Sequence, residues 1–126
     1  MSDSKKILIV DDEEDITKWL TLLFKENGYE TVTASNGSEG YDKALSENPD
    51  IIVLDISMPV ESGVKMYRNI RESDKISTIP VIMLTGVTPE FEKFISSRTQ
   101  VPPPNAYFEK PVDKDALLKK VGELTK

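Results

Sequence analysis

The chain has 126 residues and a formal net charge of −6, and it contains neither cysteine nor histidine. This length fits one domain with a hydrophobic core that needs no disulfide bond. The missing residue types exclude thiolate chemistry, histidine-based catalysis and the usual transition-metal sites, and the negative charge disfavours nucleic acid or an anionic membrane as the main partner.

The N-terminal part of the chain begins with a strand pattern followed by a helix pattern. Residues 7–10, ILIV, form an apolar run typical of a buried strand, and the five acidic residues 11–15 follow without a gap. Helical spacing of apolar residues predicts a helix over 13–27, and Gly28 suits its C-terminal cap. The apolar positions of this helix are Ile16, Trp19, Leu20, Leu23 and Phe24.

The middle of the chain repeats the alternation of strand and helix patterns. The alternating ETVTA at 30–34 predicts a second strand, and Asn36 suits the N-cap of a helix that ends near residue 47. A second all-apolar strand is predicted at 50–55. After a loop that contains Pro59 and Gly63, we expect a helix over 64–72.

The C-terminal part completes the pattern with two strands and two helices. PVIMLT at 80–85 predicts a third apolar strand, and Thr88 followed by proline is a favourable helix start. A short strand is predicted at 106–110. Asp113 can cap a last helix, whose apolar face comprises Leu117, Leu118, Val121 and Leu124.

Five strands alternating with five helices predict an α/β fold. Three strands are apolar throughout, which indicates that both of their faces are covered, as in a doubly wound parallel sheet with helices on both faces. Functional crevices in such folds lie at the carboxyl ends of the strands. The residues predicted at that edge are Asp11, Asp12, Asp55, Thr85 and Lys110.

Three carboxylates at one sheet edge need a cation or a proton. At ~4 Å and an effective dielectric constant near 20, each pair of charges repels by about 4 kcal/mol. Oxygen ligands without histidine or cysteine suit a hard cation such as Mg²⁺. A carboxylate beside Mg²⁺ can act as a nucleophile toward phosphorus. Lys110 can then supply a fixed positive charge and Thr85 a hydroxyl donor for the phosphoryl oxygens.

Each of these residues also has an ordinary structural explanation. An Asp pair after a strand often caps a helix, and Asp55 could be a turn residue. Thr85 could be a loop hydroxyl with a local partner, and Lys110 a solvated strand end. The functional interpretation depends on all of them falling at strand ends in one order.

The motifs ILIVDDE, VLDISMPVESG, MLTG and YFEKP together resemble a receiver domain of the bacterial two-component response regulators, of the single-domain type found in chemotaxis. The resemblance covers roughly residues 5–125. It implies a flavodoxin-like sheet with strand order 2-1-3-4-5.

The resemblance also implies a magnesium site and a phosphoacceptor. By the family's pattern, Asp12 binds Mg²⁺ (or Mn²⁺) directly and Asp11 contributes through water. Asp55 both binds the metal and accepts the phosphoryl group. Ser57 is a ligand through its backbone carbonyl, so its side-chain type is free.

The same resemblance assigns the residues that respond to phosphorylation. Thr85 contacts the phosphoryl group, and Lys110 pairs with it. Tyr107, three residues before that lysine, reorients on activation. The surface formed by the helix beginning near Thr88, the strand at 106–110 and the last helix would then change.

The resemblance leads us to expect one receiver domain over 1–126 without an output domain, in the cytoplasm. The expected phosphodonor is a histidine kinase or phosphotransfer protein. We expect no metabolic activity, and at most magnesium-dependent self-phosphorylation and self-dephosphorylation. The chain could act as a switch for an unknown target protein or as a phosphate relay or sink.

Two features depart from the family's pattern, and two other functions were weighed. Gly86 stands where the family more often has alanine, and prolines 102–104 form a stiff segment that favours an exposed connection. A magnesium-dependent phosphohydrolase would be expected to have Asp in place of Ser57. A flavodoxin-like mononucleotide binder would want a phosphate-binding loop where residues 11–15 are acidic.

Overall fold

A five-stranded parallel sheet forms the centre of the molecule. The computed structural model describes residues 4–55, 60–85, 105–109 and 112–125. The strands lie in the order β2-β1-β3-β4-β5, as predicted, and every neighbouring pair is parallel. Their bounds are β1 (Lys6–Val10), β2 (Glu30–Ala34), β3 (Ile51–Asp55), β4 (Val81–Thr85) and β5 (Ala106–Glu109).

Two hydrophobic clusters cover the two faces of this sheet. All five residues of β3 are buried, which explains why the strand shows no polar alternation. Leu8 and Leu54 point into one cluster with α2 and α3, whereas Ile9 and Val53 point into the other with α1 and the C-terminal helix. The sheet is therefore doubly wound, as the three apolar strands predicted.

Four helices are described. Their bounds are α1 (Glu14–Glu26), α2 (Gly37–Glu47), α3 (Val60–Glu72) and the C-terminal helix (Lys114–Leu124). The predicted caps are confirmed, since the side chains of Asn36 and Asp113 accept backbone N–H groups of α2 and of the C-terminal helix. Gly28, with φ of 88°, follows α1. The helix predicted to begin near Thr88 lies outside the described residues.

Helix α3 begins four residues earlier than the sequence pattern predicted. The pattern placed Gly63 in a loop, but the helix starts at Val60 and contains it. Glycine costs about 1 kcal/mol in a helix interior relative to alanine. Burial of Met66, Tyr67 and Ile70 along the same helix outweighs that cost.

The apolar positions of α1 differ in how deeply they are buried. Leu20, Leu23 and Phe24 are buried, but Trp19 keeps 40% of its surface exposed. It lies at the edge of the apolar stripe, and the centre of that stripe is filled by Phe24.

No described helix combines the length and the apolar character that spanning a membrane requires.

Candidate functional site

The pairing of β1 with β3 brings two acidic residues to one edge of the sheet. Val10 pairs with Leu54, so the residues that follow them, Asp11 and Asp55, lie side by side where the two strands end. The backbone N–H of Asp11 also donates to the carbonyl of Ala34 at 3.1 Å, which continues the pairing with β2 beyond the end of β1. The position of Asp11 is therefore fixed by neighbouring strands on both sides.

Four carboxylates meet at this edge. One oxygen from each of Asp11, Asp12, Glu13 and Asp55 lies within 4.8 Å of the others, and we call these residues the acidic quartet. Asp11 and Asp55 are almost completely buried, with 3% and 1% of their surfaces exposed, whereas Asp12 and Glu13 are exposed. The structure thus brings together the three acidic residues that the sequence predicted and adds a fourth.

The loop between β1 and α1 is ordered by one of these carboxylates. Asp11 Oδ1 accepts the backbone N–H of Glu13 at 2.8 Å. The N-cap of α1 is Glu13, whose side chain makes no capping hydrogen bond. The N-cap position of α1 is therefore held by Glu13 and not by either residue of the Asp pair.

Glu13 is the quartet member that the sequence analysis missed. The predicted helix began at this residue, which assigned it to the helix surface, but α1 begins at Glu14. A loop of three residues, 11–13, then leaves all of its carboxylates near the end of β1. The motif DDE, in which Glu13 is the third consecutive acidic residue, is the feature of the sequence that could have identified it as a member of the quartet.

The quartet fits a hard divalent cation. Four carboxylates with no nitrogen or sulfur donor match the ligand preference of Mg²⁺ or Mn²⁺. Burial of Asp11 and Asp55 also takes two like charges away from water, and a cation between them offsets their repulsion. The exposed pair leaves one side accessible, which suits a metal that retains several waters.

The backbone places Thr85, one of the two predicted phosphate-contacting residues, at the same edge. Asp55 pairs with Leu84, so Thr85 follows directly beside the quartet. Thr85 in turn pairs with Glu109, the last residue of β5. Lys110 is next in the chain, and it lies outside the described residues, as does Ser57.

Tyr107 lies on the face of the sheet that α3 covers. It pairs with Met83, whose side chain belongs to the cluster formed with α2 and α3. Tyr107 nevertheless keeps 42% of its surface exposed. Burial of the remainder, and secondarily the neighbouring Tyr67, raise the pKa of Tyr107 above its ordinary value of 10.

A cleft of about 390 Å³ opens beside the quartet between α1, β2 and α2. Its lining residues include Asp12, Ser35, Glu39 and Lys43. Lys43 donates to the carbonyl of Thr33 and pairs with Glu39 at 3.2 Å. The cleft thus provides an open approach to the acidic edge, and the ammonium group of Lys43 is held in place within its lining.

The chain is similar to known proteins over most of its length. Residues 7–122 match the response regulator receiver domain family. The chain is 34% identical over 117 residues to Protein PilH of Pseudomonas aeruginosa, covering 93% of this chain and 94% of PilH. It is 40% identical over 92 residues to the alkaline phosphatase synthesis transcriptional regulatory protein PhoP of Bacillus subtilis, covering 73% of this chain but only 38% of PhoP.

A solved structure gives the same result for the fold. The chemotaxis response regulator CheY4 of Vibrio cholerae superposes with a TM-score of 0.81 at 28% identity, covering 96% of this chain and 98% of CheY4. With the match over residues 7–122, this superposition shows that the chain belongs to the response regulator receiver domain family.

Proposed function

We propose that this receiver domain accepts a phosphoryl group on Asp55 in a magnesium-dependent reaction with a partner histidine kinase. The observation that carries the proposal is the acidic quartet, in which the buried Asp55 lies within 4.8 Å of three further carboxylates. A buried carboxylate in such a group needs a cation for its charge and is well placed to share one. Asp55 is the quartet member at the centre of the sheet, on β3.

The proposed reaction is a phosphoryl transfer with Asp55 as the nucleophile. An Asp55 carboxylate oxygen attacks phosphorus, the bond from phosphorus to the donor's imidazole nitrogen breaks, and the imidazole leaves with that electron pair. Mg²⁺ held by Asp11, Asp12, Asp55 and the Ser57 carbonyl would neutralise charge on the phosphoryl oxygens. We expect Asp12 to bind directly and Asp11 through water, and Glu13 to add to the negative potential.

Thr85 and Lys110 are proposed to bind the transferred phosphoryl group. Thr85 ends the strand beside Asp55, and Lys110 directly follows the residue that pairs with Thr85. A hydroxyl donor and an ammonium group at these places would neutralise phosphoryl oxygens that the metal does not reach. The domain would be a phosphoacceptor that also loses its own phosphate, rather than an enzyme for an external substrate.

The output is proposed to be a change in the surface around β5. Contact of Thr85 with the phosphoryl group would vacate space into which Tyr107 can turn. The chain matches PilH over 94% of PilH's length. A switch for a target protein and a phosphate relay or sink both fit this similarity.

Intact-mass measurement tests the proposal. Protein incubated with Mg²⁺ and acetyl phosphate should gain the mass of one phosphoryl group, and the gain should be lost with a chelator or in Asp55→Asn. Asp42→Asn, at an exposed acid on α2 outside the quartet, is the matched control and should be modified like the wild type. No gain in the wild type, or a gain that persists in Asp55→Asn, would overturn the assignment.

A further inference from the structure

Arg71, in the last turn of α3, joins three parts of the molecule. Its Nη1 donates to the carbonyls of Ser77 and Ile79 at 3.1 and 2.7 Å, and its Nε donates to the Tyr67 hydroxyl at 3.1 Å. Its Nη2 donates to Asn105 Oδ1 at 2.9 Å. A planar guanidinium can satisfy four acceptors at once, which a lysine ammonium with three donors cannot do.

Asn105 connects this arginine to the start of β5. Its Oδ1 also accepts the backbone N–H of Val81 at 3.0 Å, and the backbone N–H of Asn105 donates to the Val81 carbonyl at 2.9 Å. Asn105 therefore fixes where β5 begins relative to β4. Tyr107 is two residues further along the same strand.

Tyr67 is the second connection between Arg71 and Tyr107. The Arg71 guanidinium carbon lies 4.9 Å from the centre of the Tyr67 ring, and Arg71 Nε donates to its hydroxyl, so that ring is held at two points. Tyr67 has only 4% of its surface exposed and belongs to the cluster on the sheet face that Tyr107 shares. A fixed Tyr67 thus limits the space toward α3 into which Tyr107 could turn.

We infer that Arg71 is a positioning residue that sets the orientation of Tyr107. By holding Tyr67 and Asn105, it favours the partly exposed orientation of Tyr107 over an inward one. The inference deepens the proposed function and rests on it in one respect, because the inward orientation is the one that phosphorylation of Asp55 is proposed to favour. The more strongly Arg71 holds Tyr67 and Asn105, the more free energy phosphorylation of Asp55 would have to supply to turn Tyr107 inward.

The orientation of Tyr107 can be measured in the full chain by NMR. The protein has four tyrosines, so ¹³C-labelled tyrosine gives few ring signals, and Tyr107→Phe assigns the one of interest. Broadening of that signal by a soluble paramagnetic probe reports how exposed the ring is. The measurement is made in Mg²⁺ alone and after addition of beryllofluoride as a phosphoryl mimic.

Four variants isolate the contribution of Arg71. Tyr67→Phe removes only the hydroxyl that accepts from Arg71, and Arg71→Lys keeps the charge but loses the fork of donors. Asn105→Asp keeps the accepting oxygen and adds a negative charge opposite the guanidinium. Arg68→Lys, on the same helix, is the matched control, because none of the described hydrogen bonds of this network involves it.

In Mg²⁺ alone, Tyr67→Phe and Arg71→Lys should reduce the broadening of the Tyr107 signal, while Arg68→Lys should not. Loss of one hydrogen bond to a charged group corresponds to about a tenfold change in the ratio of the two orientations. Asn105→Asp should act in the opposite sense, so that beryllofluoride reduces the broadening less than in the wild type.

The two proposals fail in distinguishable ways. If Arg71 only supports the fold, Arg71→Lys and Tyr67→Phe lower the unfolding temperature but leave the Tyr107 broadening like that of Arg68→Lys, and the inference is overturned. If the wild type shows no change with beryllofluoride, the proposed switch fails, and the variants in Mg²⁺ alone still decide whether Arg71 orients Tyr107. Tyr67→Phe keeps its buried ring, so it supplies the comparison even if Arg71→Lys folds poorly.

Discussion

Asp11 and Asp12 are adjacent in sequence but lie in different environments. Asp11 continues the pairing of β1 with β2 and is buried, with one oxygen occupied by the Glu13 N–H. Asp12 points to solvent at the mouth of the site. The buried residue therefore shapes the loop, and the exposed one can bind or release a metal without disturbing the sheet.

Asp12 should lower the stability of the metal-free protein through charge repulsion and should contribute to Mg²⁺ binding. Replacing it by alanine distinguishes these two effects. Without Mg²⁺, Asp12→Ala should raise the free energy of unfolding by roughly 1 kcal/mol, because one exposed repelling charge leaves the quartet. With Mg²⁺, the same variant should bind roughly tenfold or more weakly, because the cation loses an anionic ligand. Thermal unfolding at several Mg²⁺ concentrations measures both.

Asp15→Asn is the matched control for this substitution. Asp15 is exposed in the first turn of α1, where its charge favours the helix, and it is not a member of the quartet. This variant should lose a little stability and keep its Mg²⁺ response. Unchanged Mg²⁺ binding in Asp12→Ala would remove Asp12 from the site.

At the scale of elements, the N-terminus of α2 depends on Glu39. Its Oε1 accepts the backbone N–H and the hydroxyl of Ser35 at 2.8 and 3.0 Å, and Lys43 pairs with its other oxygen. The Glu39 N–H in turn donates to Asn36 Oδ1. The hydrogen bond from the Ser35 backbone, followed by those from its hydroxyl and Lys43, lowers the pKa of Glu39 to about 2.

This lowered pKa gives stability a defined pH dependence. A carboxyl with a folded-state pKa of about 2 and an ordinary value of 4.5 favours the folded state above pH 4.5, and that contribution is lost as the pH falls toward 2. Wild type should therefore unfold at a higher temperature than Glu39→Gln above pH 5, and the two curves should converge near pH 2. A difference that stays constant over this range would contradict the ionised contact.

Helix α2 also packs closely against the sheet at Gly40. A Cβ there would lie 2.9 Å from Met66 Cε and Sδ and from Val10 Cγ2. The methionine end can move, but the valine is fixed on β1, so Gly40→Ala should cost about 1–2 kcal/mol of unfolding free energy. Chemical denaturation measures this change.

Gly122→Ala is the matched control for Gly40→Ala. A Cβ at Gly122 would meet only Tyr29 Oη, at 4.0 Å, and the position lies inside the C-terminal helix. This variant should gain about 0.5–1 kcal/mol from reduced backbone freedom in the unfolded chain. Similar effects of the two substitutions would show that packing of α2 does not depend on Gly40.

The sequence predicted the strands and the two capped helices well, because their causes are local. The apolar runs predict buried strands, and Asn36 and Asp113 predict the N-caps of two helices. Neither prediction requires knowledge of residues that are distant in the sequence. The start of α3 and the exposure of Trp19 depend instead on which side chains fill the space between helix and sheet. Glu13 joined the quartet because α1 begins one residue later than its apolar spacing suggested.

At the scale of the whole molecule, a metal ion bound at the quartet would link folding to metal binding. Asp11 and Asp55 are buried at the edge of a sheet whose central strand is entirely apolar up to Asp55. A cation that binds only the folded state should stabilise it by about 2.7 kcal/mol at one hundred times its dissociation constant. Mg²⁺ should therefore raise the unfolding temperature of the wild type, and K⁺ at equal ionic strength should not.

Failure of Mg²⁺ to stabilise the wild type would contradict a metal site at the quartet. Asp55→Asn provides a second comparison, because it removes one buried charge while keeping the side-chain shape. This variant should be more stable than the wild type without Mg²⁺ and should gain less from its addition.

The most direct test of the account identifies which of the four carboxylates carries the phosphoryl group. After treatment with Mg²⁺ and acetyl phosphate, borohydride reduces an acyl phosphate to an alcohol, and tandem mass spectrometry then locates the altered residue. We expect Asp55 alone to become homoserine, only when Mg²⁺ is present. Reduction at Asp11, Asp12 or Glu13 instead, or at Asp55 equally without Mg²⁺, would contradict the proposed arrangement of metal ligands around a single phosphoacceptor.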